Sequence, residues 1–251
     1  MRLLPGILGR LGSRPGSVRA DPARNPTCER FEVDAWMTSD FVLERLVPRV
    51  GVRPFPLHEL LLMTAAVVRL RPPLVLEWGT HVGKSAWIFR ETIASFGISS
   101  HVHSVDLPAD TSHVEHPGQR RGEMVRGLSG VTLHEGDGLD VALRVWAMAG
   151  RPAAPLFFLD GDHAQGSVLR ELEGVAVAVP GAAILLHDTF FQSSGSGYNV
   201  GPHLAVDGVL ARHPGRWEVL RSGLGLPGMT LLVPRSASPS GTAGAGGGAS
   251  V

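Results

Sequence analysis

The chain has a single cysteine, Cys28, among its 251 residues. One cysteine excludes an intrachain disulfide and fits a reducing compartment, so we expect a cytoplasmic protein. No apolar run approaches the roughly 20 residues that a membrane-spanning helix needs, so we expect no membrane span. Acidic and basic side chains balance at 23 each, and no basic stripe is interleaved with aromatic residues. Because phosphate contacts need clustered Lys and Arg, we expect no nucleic-acid partner.

Two phosphate-binding motifs are absent from the stretch that most resembles them, LVLEWGTHVGKSAW at Leu74–Trp87. Only three residues separate Gly79 from Gly83, one fewer than the P-loop pattern G-x-x-x-x-G-K-[ST] requires. The dinucleotide pattern G-x-G-x-x-G fails because His81 occupies its second glycine position. A P-loop-like NTPase, with Asp160 as its Walker-B-type acid, is therefore a less favoured alternative.

The same stretch contains a buried strand, a glycine turn and the start of a helix. The apolar run ends at Glu77, and Gly79 and Gly83 follow it. Glycines let a ligand approach the backbone, and a helix start offers unpaired N–H donors. The spacing acid-x-G-x-x-x-G opens the S-adenosylmethionine (SAM) site of class I methyltransferases. SAM carries no phosphate, and it needs a carboxylate for its methionine end instead of a lysine. A strand, turn and helix without a ligand is the alternative.

The pattern of the whole chain predicts one α/β domain at 31–235, between a flexible N-terminal arm at 1–30 and a disordered Gly/Ser/Ala tail at 236–251. We expect helices at 57–70, 84–96, 119–128, 139–149, 167–179 and 203–213, after one or two short helices at 31–55. Buried strands are expected at 74–77, 101–105, 131–134, 156–159 and 182–186. An antiparallel pair at 217–220 and 229–233 completes the domain.

Acidic residues follow several of these strands, at the edge where open parallel sheets bind ligands. Asp106 ends the second strand, where a nucleotide-binding βαβ unit places an acid that accepts hydrogen bonds from the ribose. Its alternative is a solvated loop aspartate. Asp137 follows the third strand, where it could accept a hydrogen bond from the adenine amine. A turn aspartate beside glycines is the alternative for Asp137.

Two neighbouring strands each deliver a carboxylate to this edge, Asp160 and Asp188. Close carboxylates repel, and their burial costs free energy unless a cation or a proton compensates, so a divalent metal is the simplest explanation. Oxygen ligands favour Mg²⁺, whereas a histidine ligand shifts the preference toward Mn²⁺ or Fe²⁺. Consecutive residues of a regular strand point to opposite faces. Asp188 is therefore the expected ligand, and the roles of His187 and Thr189 are left open.

Four segments together resemble the class I SAM-dependent methyltransferases: VLEWGTHVGKSA, HSVD, FFLDGDHAQGSVLREL and PGAAILLHDT. Over about residues 57–234 the chain is similar to a small family that includes cephalosporin-hydroxylase-type proteins and macrolide-sugar O-methyltransferases. Catechol O-methyltransferase is a more distant relative. The resemblance implies a Rossmann-like, doubly wound sheet of seven strands, mostly parallel with the last strand antiparallel and with helices on both faces. It also implies SAM as methyl donor and often a Mg²⁺ ion.

The resemblance assigns most of the cofactor-binding residues, and the strand-end pattern adds Asp137. Together they give a predicted SAM-binding set: Glu77, Gly79, Thr80, Gly83, Ser85, Asp106 and Asp137. Glu77, Gly79 and Ser85 match contacts to the methionine end of SAM, and Asp106 matches the ribose-binding acid.

The resemblance also implies metal ligands and a general base. Asp160 and Asp188 match the metal ligands, and Thr189 stands where catechol methyltransferases carry an amide ligand. His163, three residues after Asp160, stands where those enzymes place a lysine base. An imidazole titrates near neutral pH and can accept a hydroxyl proton. The departures from the catechol pattern are Thr189 in place of the amide and His187 before the acid.

We therefore expect metal-assisted O-methylation of a hydroxyl on a small molecule, such as a sugar or a natural-product intermediate, with His163 and Asp160 as catalytic residues. Methylation of nitrogen or carbon is a further option. Another alternative is a catalytically silent SAM-fold partner of a tailoring enzyme. No motif identifies the acceptor, and a homo-oligomer is compatible with the sequence.

Overall fold

The computed structural model describes residues 30–111, 117–193, 195–196 and 198–235. The N-terminal arm up to residue 29 and the tail at 236–251 lie outside the described residues, so the expectations for both segments stay predictions. Within the described ranges, no helix combines the length and the apolar character that are needed to cross a membrane.

Seven strands form one sheet in the order β3-β2-β1-β4-β5-β7-β6. β1 pairs in parallel with β2 on one side and with β4 on the other, and β7 runs antiparallel to both β5 and β6. This confirms the predicted Rossmann-like sheet with its last strand antiparallel. The strands are β1 Leu74–Trp78, β2 His101–Asp106, β3 Val131–Glu135, β4 Leu156–Leu159, β5 Ala183–His187, β6 Trp217–Ser222 and β7 Met229–Pro234.

Helices cover both faces of the sheet because residues alternate between faces along each strand. On β1, Val75 packs in the core that α1 to α4 cover, whereas Leu76 packs in the core beneath α5, α6 and α7. A π-helical turn at Val42–Leu46 joins α1 to α2. The helices are α1 Ala35–Phe41, α2 Val47–Val50, α3 Leu57–Leu70, α4 Lys84–Ser95, α5 Gly138–Met148, α6 Gln165–Ala178 and α7 Gly201–Arg212.

The predicted helix at 119–128 is wrong. Only Gly118–Arg120 forms a single 3₁₀ turn, and a series of turns follows it. Gly122 and Gly127 have φ values of +65° and +77°, which an α-helix does not allow. A Cβ atom at Gly122 would lie 2.5 Å from a methyl group of Leu133, so this segment packs against β3 as a chain of turns.

Gly79 brings the ends of β1 and β4 together. Its φ is +91°, and a Cβ atom there would lie 1.9 Å from the carbonyl oxygen of Asp160. The backbone N–H of Asp160 also donates to the carbonyl of Trp78, at 3.2 Å. The predicted SAM turn and the predicted metal ligand are therefore in backbone contact, and the glycine is required by a neighbouring strand end whether or not a ligand approaches.

We expect Gly79→Ala to destabilise the protein far more than Gly97→Ala. Gly97 also has a positive φ, of +58°, but no atom lies within 4 Å of a Cβ atom placed there. The control should lose about 1–2 kcal/mol from backbone strain, and Gly79→Ala should lose at least about 1–3 kcal/mol more from the clash with Asp160. Urea unfolding of both variants measures the difference. Equal losses would contradict the contact.

Candidate SAM and metal site

Glu77 is a fully buried acid at the carboxyl end of β1. One carboxylate oxygen accepts a hydrogen bond from the Ser104 hydroxyl at 2.5 Å, and this hydroxyl lies 2.6 Å from that of Thr80. The other oxygen, Oε2, has no hydrogen-bond partner within the described residues. Burial raises the pKa of Glu77 to about 8, although Ser104 and Ser85 act in the opposite direction.

The surroundings of Glu77 suit the methionine end of SAM. The buried oxygen without a partner can accept a hydrogen bond from a cationic amino group, which would also compensate the cost of burying the carboxylate. Ser85 lies in the first turn of α4, where N–H groups lack helical partners. Lys84, the only lysine in the chain, instead donates to the carbonyl oxygen of Arg53 at 2.6 Å. That contact argues against a phosphate cradle.

Asp106 stands at the end of β2, beside the glycine turn. Its two carboxylate oxygens accept hydrogen bonds from the backbone N–H groups of His81 and Leu107, each at 2.8 Å. The acid therefore fixes the turn that Gly79 and Gly83 frame. A carboxylate oxygen can accept more than one hydrogen bond, so these contacts are compatible with a ribose hydroxyl as a further donor. The ribose-binding role of Asp106 stays a prediction.

Asp137 has a structural role, which differs from the turn aspartate given as its alternative. It is the N-cap of α5: one oxygen accepts from the backbone N–H of Asp140 at 3.0 Å. The other oxygen lies 2.6 Å from the guanidinium of Arg170. Although burial opposes them, these contacts lower the pKa of Asp137. Contact with the adenine amine stays a prediction, and it would add a donor to an acid that is already well bonded.

A second cluster of charged groups lies where β4 and β5 end. Nε2 of His163 is 2.9 Å from a carboxylate oxygen of Asp188 and 3.9 Å from one of Asp160. Nδ1 of His187 is 2.9 Å from Asp160 and 3.7 Å from Asp188. The strand ends pointed to Asp160 and Asp188 and left His187 open, the resemblance added His163, and the structure brings these four side chains together.

His187 is held on its far side by Glu59, a fully buried residue of α3. Nε2 of His187 lies 3.0 Å from one oxygen of Glu59, and the other oxygen accepts from the backbone N–H of Gly228 at 2.7 Å. A histidine that ligates a metal commonly donates its second N–H to a carboxylate in this way. Glu59 thus leaves Nδ1 of His187 facing the two aspartates.

The donor set fits a divalent metal. One ligand atom each from Asp160, His187 and Asp188 lie within 4.8 Å of one another. Two carboxylates and one imidazole favour Mn²⁺ or Fe²⁺, whereas an all-oxygen site would favour Mg²⁺. The identity of the ion stays a prediction. The hydroxyl of Thr189 shares a hydrogen bond with that of Thr230 at 2.8 Å. Its role as a ligand also stays a prediction.

Backbone geometry explains how consecutive residues reach one cluster. His187 is the last residue of β5, and Asp188 has a left-handed φ of +56°. Because the chain leaves the strand at Asp188, the rule that neighbouring side chains point to opposite faces no longer applies. A positive φ on a non-glycine residue is unfavourable and recurs at functional sites.

Sequence patterns missed two further contacts to Asp188, both from the loop before α7. The Tyr198 hydroxyl donates to one oxygen at 3.0 Å, and the Asn199 side-chain amide donates to the other at 2.8 Å. No motif marks these residues, because they reach the site through a loop. The sequence did contain one indication for Glu59, because it is the only acid in a predicted helix that is otherwise apolar nearly all round.

The carboxylates control the protonation of His163. Burial lowers the pKa of His163, but hydrogen bonds and charge attraction from Asp160 and Asp188 outweigh it and raise the pKa to about 10. An imidazolium cannot accept a proton. His163 can therefore act as a base only when a positive charge beside Asp160 and Asp188 weakens their attraction for its proton.

Comparison with known families agrees with this geometry. A model of the family described as rhamnosyl O-methyltransferase/CmcI matches residues 55–221, well over half of the chain. The chain belongs to the rhamnosyl O-methyltransferase/CmcI family. It is a SAM-dependent methyltransferase, as the resemblance implied. Among curated proteins, the comparison found no match.

Solved methyltransferases share the fold at low sequence identity. TomG from Streptomyces achromogenes, an O-methyltransferase of tomaymycin synthesis in complex with SAM, is 16% identical with a TM-score of 0.52, over 80% of this chain and 89% of TomG. SAH-bound PaMTH1 from Podospora anserina is 15% identical with a TM-score of 0.52, over 80% of this chain and 87% of PaMTH1. The calicheamicin methyltransferase CalS11 is 14% identical with a TM-score of 0.51, over 88% of this chain and 99% of CalS11.

The raised pKa of Glu77 predicts how stability without cofactor depends on pH. Between pH 4.5 and about 8 the unfolded chain ionises this carboxyl while the native state keeps it protonated. Its contribution to stability therefore falls by about 1.4 kcal/mol per pH unit in that window. Glu77→Gln removes this loss, so its unfolding free energy relative to wild type should increase as pH rises.

Urea unfolding at several pH values between 5 and 8 measures this trend. The matched control is Glu44→Gln, which removes one exposed acid and should follow the wild-type pH profile. If the Glu77→Gln and wild-type profiles run parallel, the native carboxyl of Glu77 is already ionised and the prediction is wrong.

Proposed function

We propose that this methyltransferase transfers the methyl group of SAM to a hydroxyl oxygen of a small molecule, with a divalent metal between Asp160, Asp188 and His187. The observation that carries the proposal is the cluster of Asp160, His163, His187 and Asp188 beside the glycine turn of β1. SAM supplies an activated methyl group, and a divalent cation lowers the pKa of a hydroxyl near it. The side chains align the two reactants.

His163 is the proposed base. It lies between the two aspartates, and its backbone is fixed by α7: a Cβ atom at Gly201 would lie 2.2 Å from the carbonyl oxygen of His163. Once the charge of the aspartates is compensated, His163 can accept the hydroxyl proton near neutral pH. Glu77 supports the donor side, and Asp160 connects both sides through its backbone contact with Gly79.

A cavity beside Thr189 supports a small acceptor. Its volume is about 310 Å³, and its walls combine apolar Phe190, Phe191 and Met229 with polar His203 and Arg221. The hydroxyls of Thr189, Ser222 and Thr230 also line it, and such hydrogen-bonding groups suit a hydroxylated acceptor. The family name and the CalS11 neighbour, described as a TDP-rhamnose 3'-O-methyltransferase, make a sugar or a natural-product intermediate the acceptor class that we favour.

Three expectations about the setting of the reaction belong to this proposal. The neutral charge balance argues against a nucleic-acid partner. The single cysteine fits a cytoplasmic location. A homo-oligomer is compatible with the chain, and size-exclusion chromatography with light scattering measures it.

Formation of S-adenosylhomocysteine (SAH) from SAM and a pool of hydroxylated sugars tests the reaction. We expect EDTA to abolish turnover and Mn²⁺ or Mg²⁺ to restore it. His163→Ala should lower kcat by about 10²–10⁴-fold, the usual contribution of a general base, with little change in SAM affinity. His213→Ala, at the far end of α7, is the matched control and should stay active.

Each alternative has its own signature in the same assay. Turnover that survives EDTA, or full activity in His163→Ala, would contradict the assigned roles while leaving the family assignment intact. Tight SAM binding by calorimetry with no turnover on any acceptor would favour the catalytically silent partner. Methylation of an amine substrate alone would favour N-methylation.

A further inference from the structure

Three histidines lie side by side on the sheet, away from the aspartate cluster. His101 and His103 are two residues apart on β2 and share one face, and His134 lies on β3, the strand at the sheet edge. The His103 ring centroid is 4.7 Å from that of His101 and 5.2 Å from that of His134. All three side chains are half-buried, so solvent reaches them.

Two of these rings stand at a separation that one metal ion can bridge. Nδ1 of His103 lies 3.0 Å from Nε2 of His134. Two nitrogens bound to one tetrahedral Zn²⁺ at about 2.0–2.1 Å are about 3.3 Å apart. One of the two nitrogens must now donate its proton to the other, and an ion between them would take the place of that proton.

His101 would have to turn to supply a third nitrogen, because the three histidines do not already place their ligand nitrogens within 4.8 Å of one another. Its ring packs against His103, and its Nε2 shares a hydrogen bond with the hydroxyl of Thr132 at 2.8 Å. A single bond to an exposed threonine holds the ring weakly, because water can replace the threonine. Rotation of the His101 side chain toward the other two rings would break only this one side-chain hydrogen bond.

The chemistry of the cluster favours a cation other than a proton. Burial, and then repulsion from His101 and His134, lower the pKa of His103 to about 4. Burial and repulsion from His101 also lower the pKa of His134. His103 and His134 are thus neutral near pH 7, which is the form that binds metals. In the ranges that the structure describes, no carboxylate forms a hydrogen bond or an ion pair with them.

We propose that His103 and His134, with His101 as the third ligand, bind a divalent transition-metal cation of the Zn²⁺ class. Imidazole ligands suit Zn²⁺, Cu²⁺ and Ni²⁺, and they do not suit Mg²⁺ or Ca²⁺. The ion would join the edge strand β3 to β2 and stabilise the native state. On β2, His103 lies three residues before Asp106, about 10 Å along the strand. The site is therefore separate from the predicted SAM site and from the aspartates.

Calorimetric titration of the full chain with Zn²⁺ tests the proposal, together with melting temperatures with and without Zn²⁺. We expect His103→Gln to lose one bound Zn²⁺ and the rise in Tm that Zn²⁺ causes. The control His213→Gln should keep the bound Zn²⁺ and the rise in Tm. Loss of a group that only orients a ligand costs about tenfold to a hundredfold in metal affinity, so loss of a ligand should cost at least about tenfold.

A second variant, His134→Gln, keeps the test decisive if His103→Gln does not fold. Circular dichroism checks that each variant is folded. Asp160→Asn separates this site from the aspartate cluster, because it should leave the histidine-dependent Zn²⁺ in place. The proposal is overturned if both histidine variants bind Zn²⁺ as wild type does, or if Asp160→Asn removes all bound Zn²⁺.

Discussion

One imidazole ring holds the reactive edge of this protein together. His187 ends β5, and its two nitrogens lie 2.9 Å from Asp160, which follows β4, and 3.0 Å from Glu59 of α3. Glu59 in turn accepts the backbone N–H of Gly228, just before β7. Buried carboxylates cost free energy unless they are paired, so this chain of contacts stabilises four elements at once. It also presents Nδ1 of His187 to the aspartates, where a metal is proposed.

The edge has two halves that share a backbone contact. Glu77 and its turn form the proposed SAM half, and the cluster around Asp160 forms the acceptor half. Gly79 packs against the carbonyl of Asp160 so closely that no side chain fits between them. A shift of one half would therefore move the other, which suits the proposed alignment of the methyl donor with the hydroxyl acceptor.

Local patterns predicted most of the fold and half of the site. Strands that alternate with helices, and acids that follow the strands, are sufficient to place Asp160 and Asp188 at one edge of the sheet. Glu59 lies 128 residues before His187, and Tyr198 reaches Asp188 from a loop, so no spacing could connect them. The helix expected at 119–128 failed because its glycines take left-handed conformations that apolar periodicity does not register.

The proposed metal centre at Asp160, His187 and Asp188 is tested most directly by the anomalous scattering of Mn²⁺ in crystals of the full chain grown with SAM. We expect one peak bonded by both aspartates and by Nδ1 of His187, with Nε2 still hydrogen-bonded to Glu59. A Mn²⁺-soaked crystal in which His187 still bridges Glu59 and Asp160, and no ion contacts Asp188, would contradict the account.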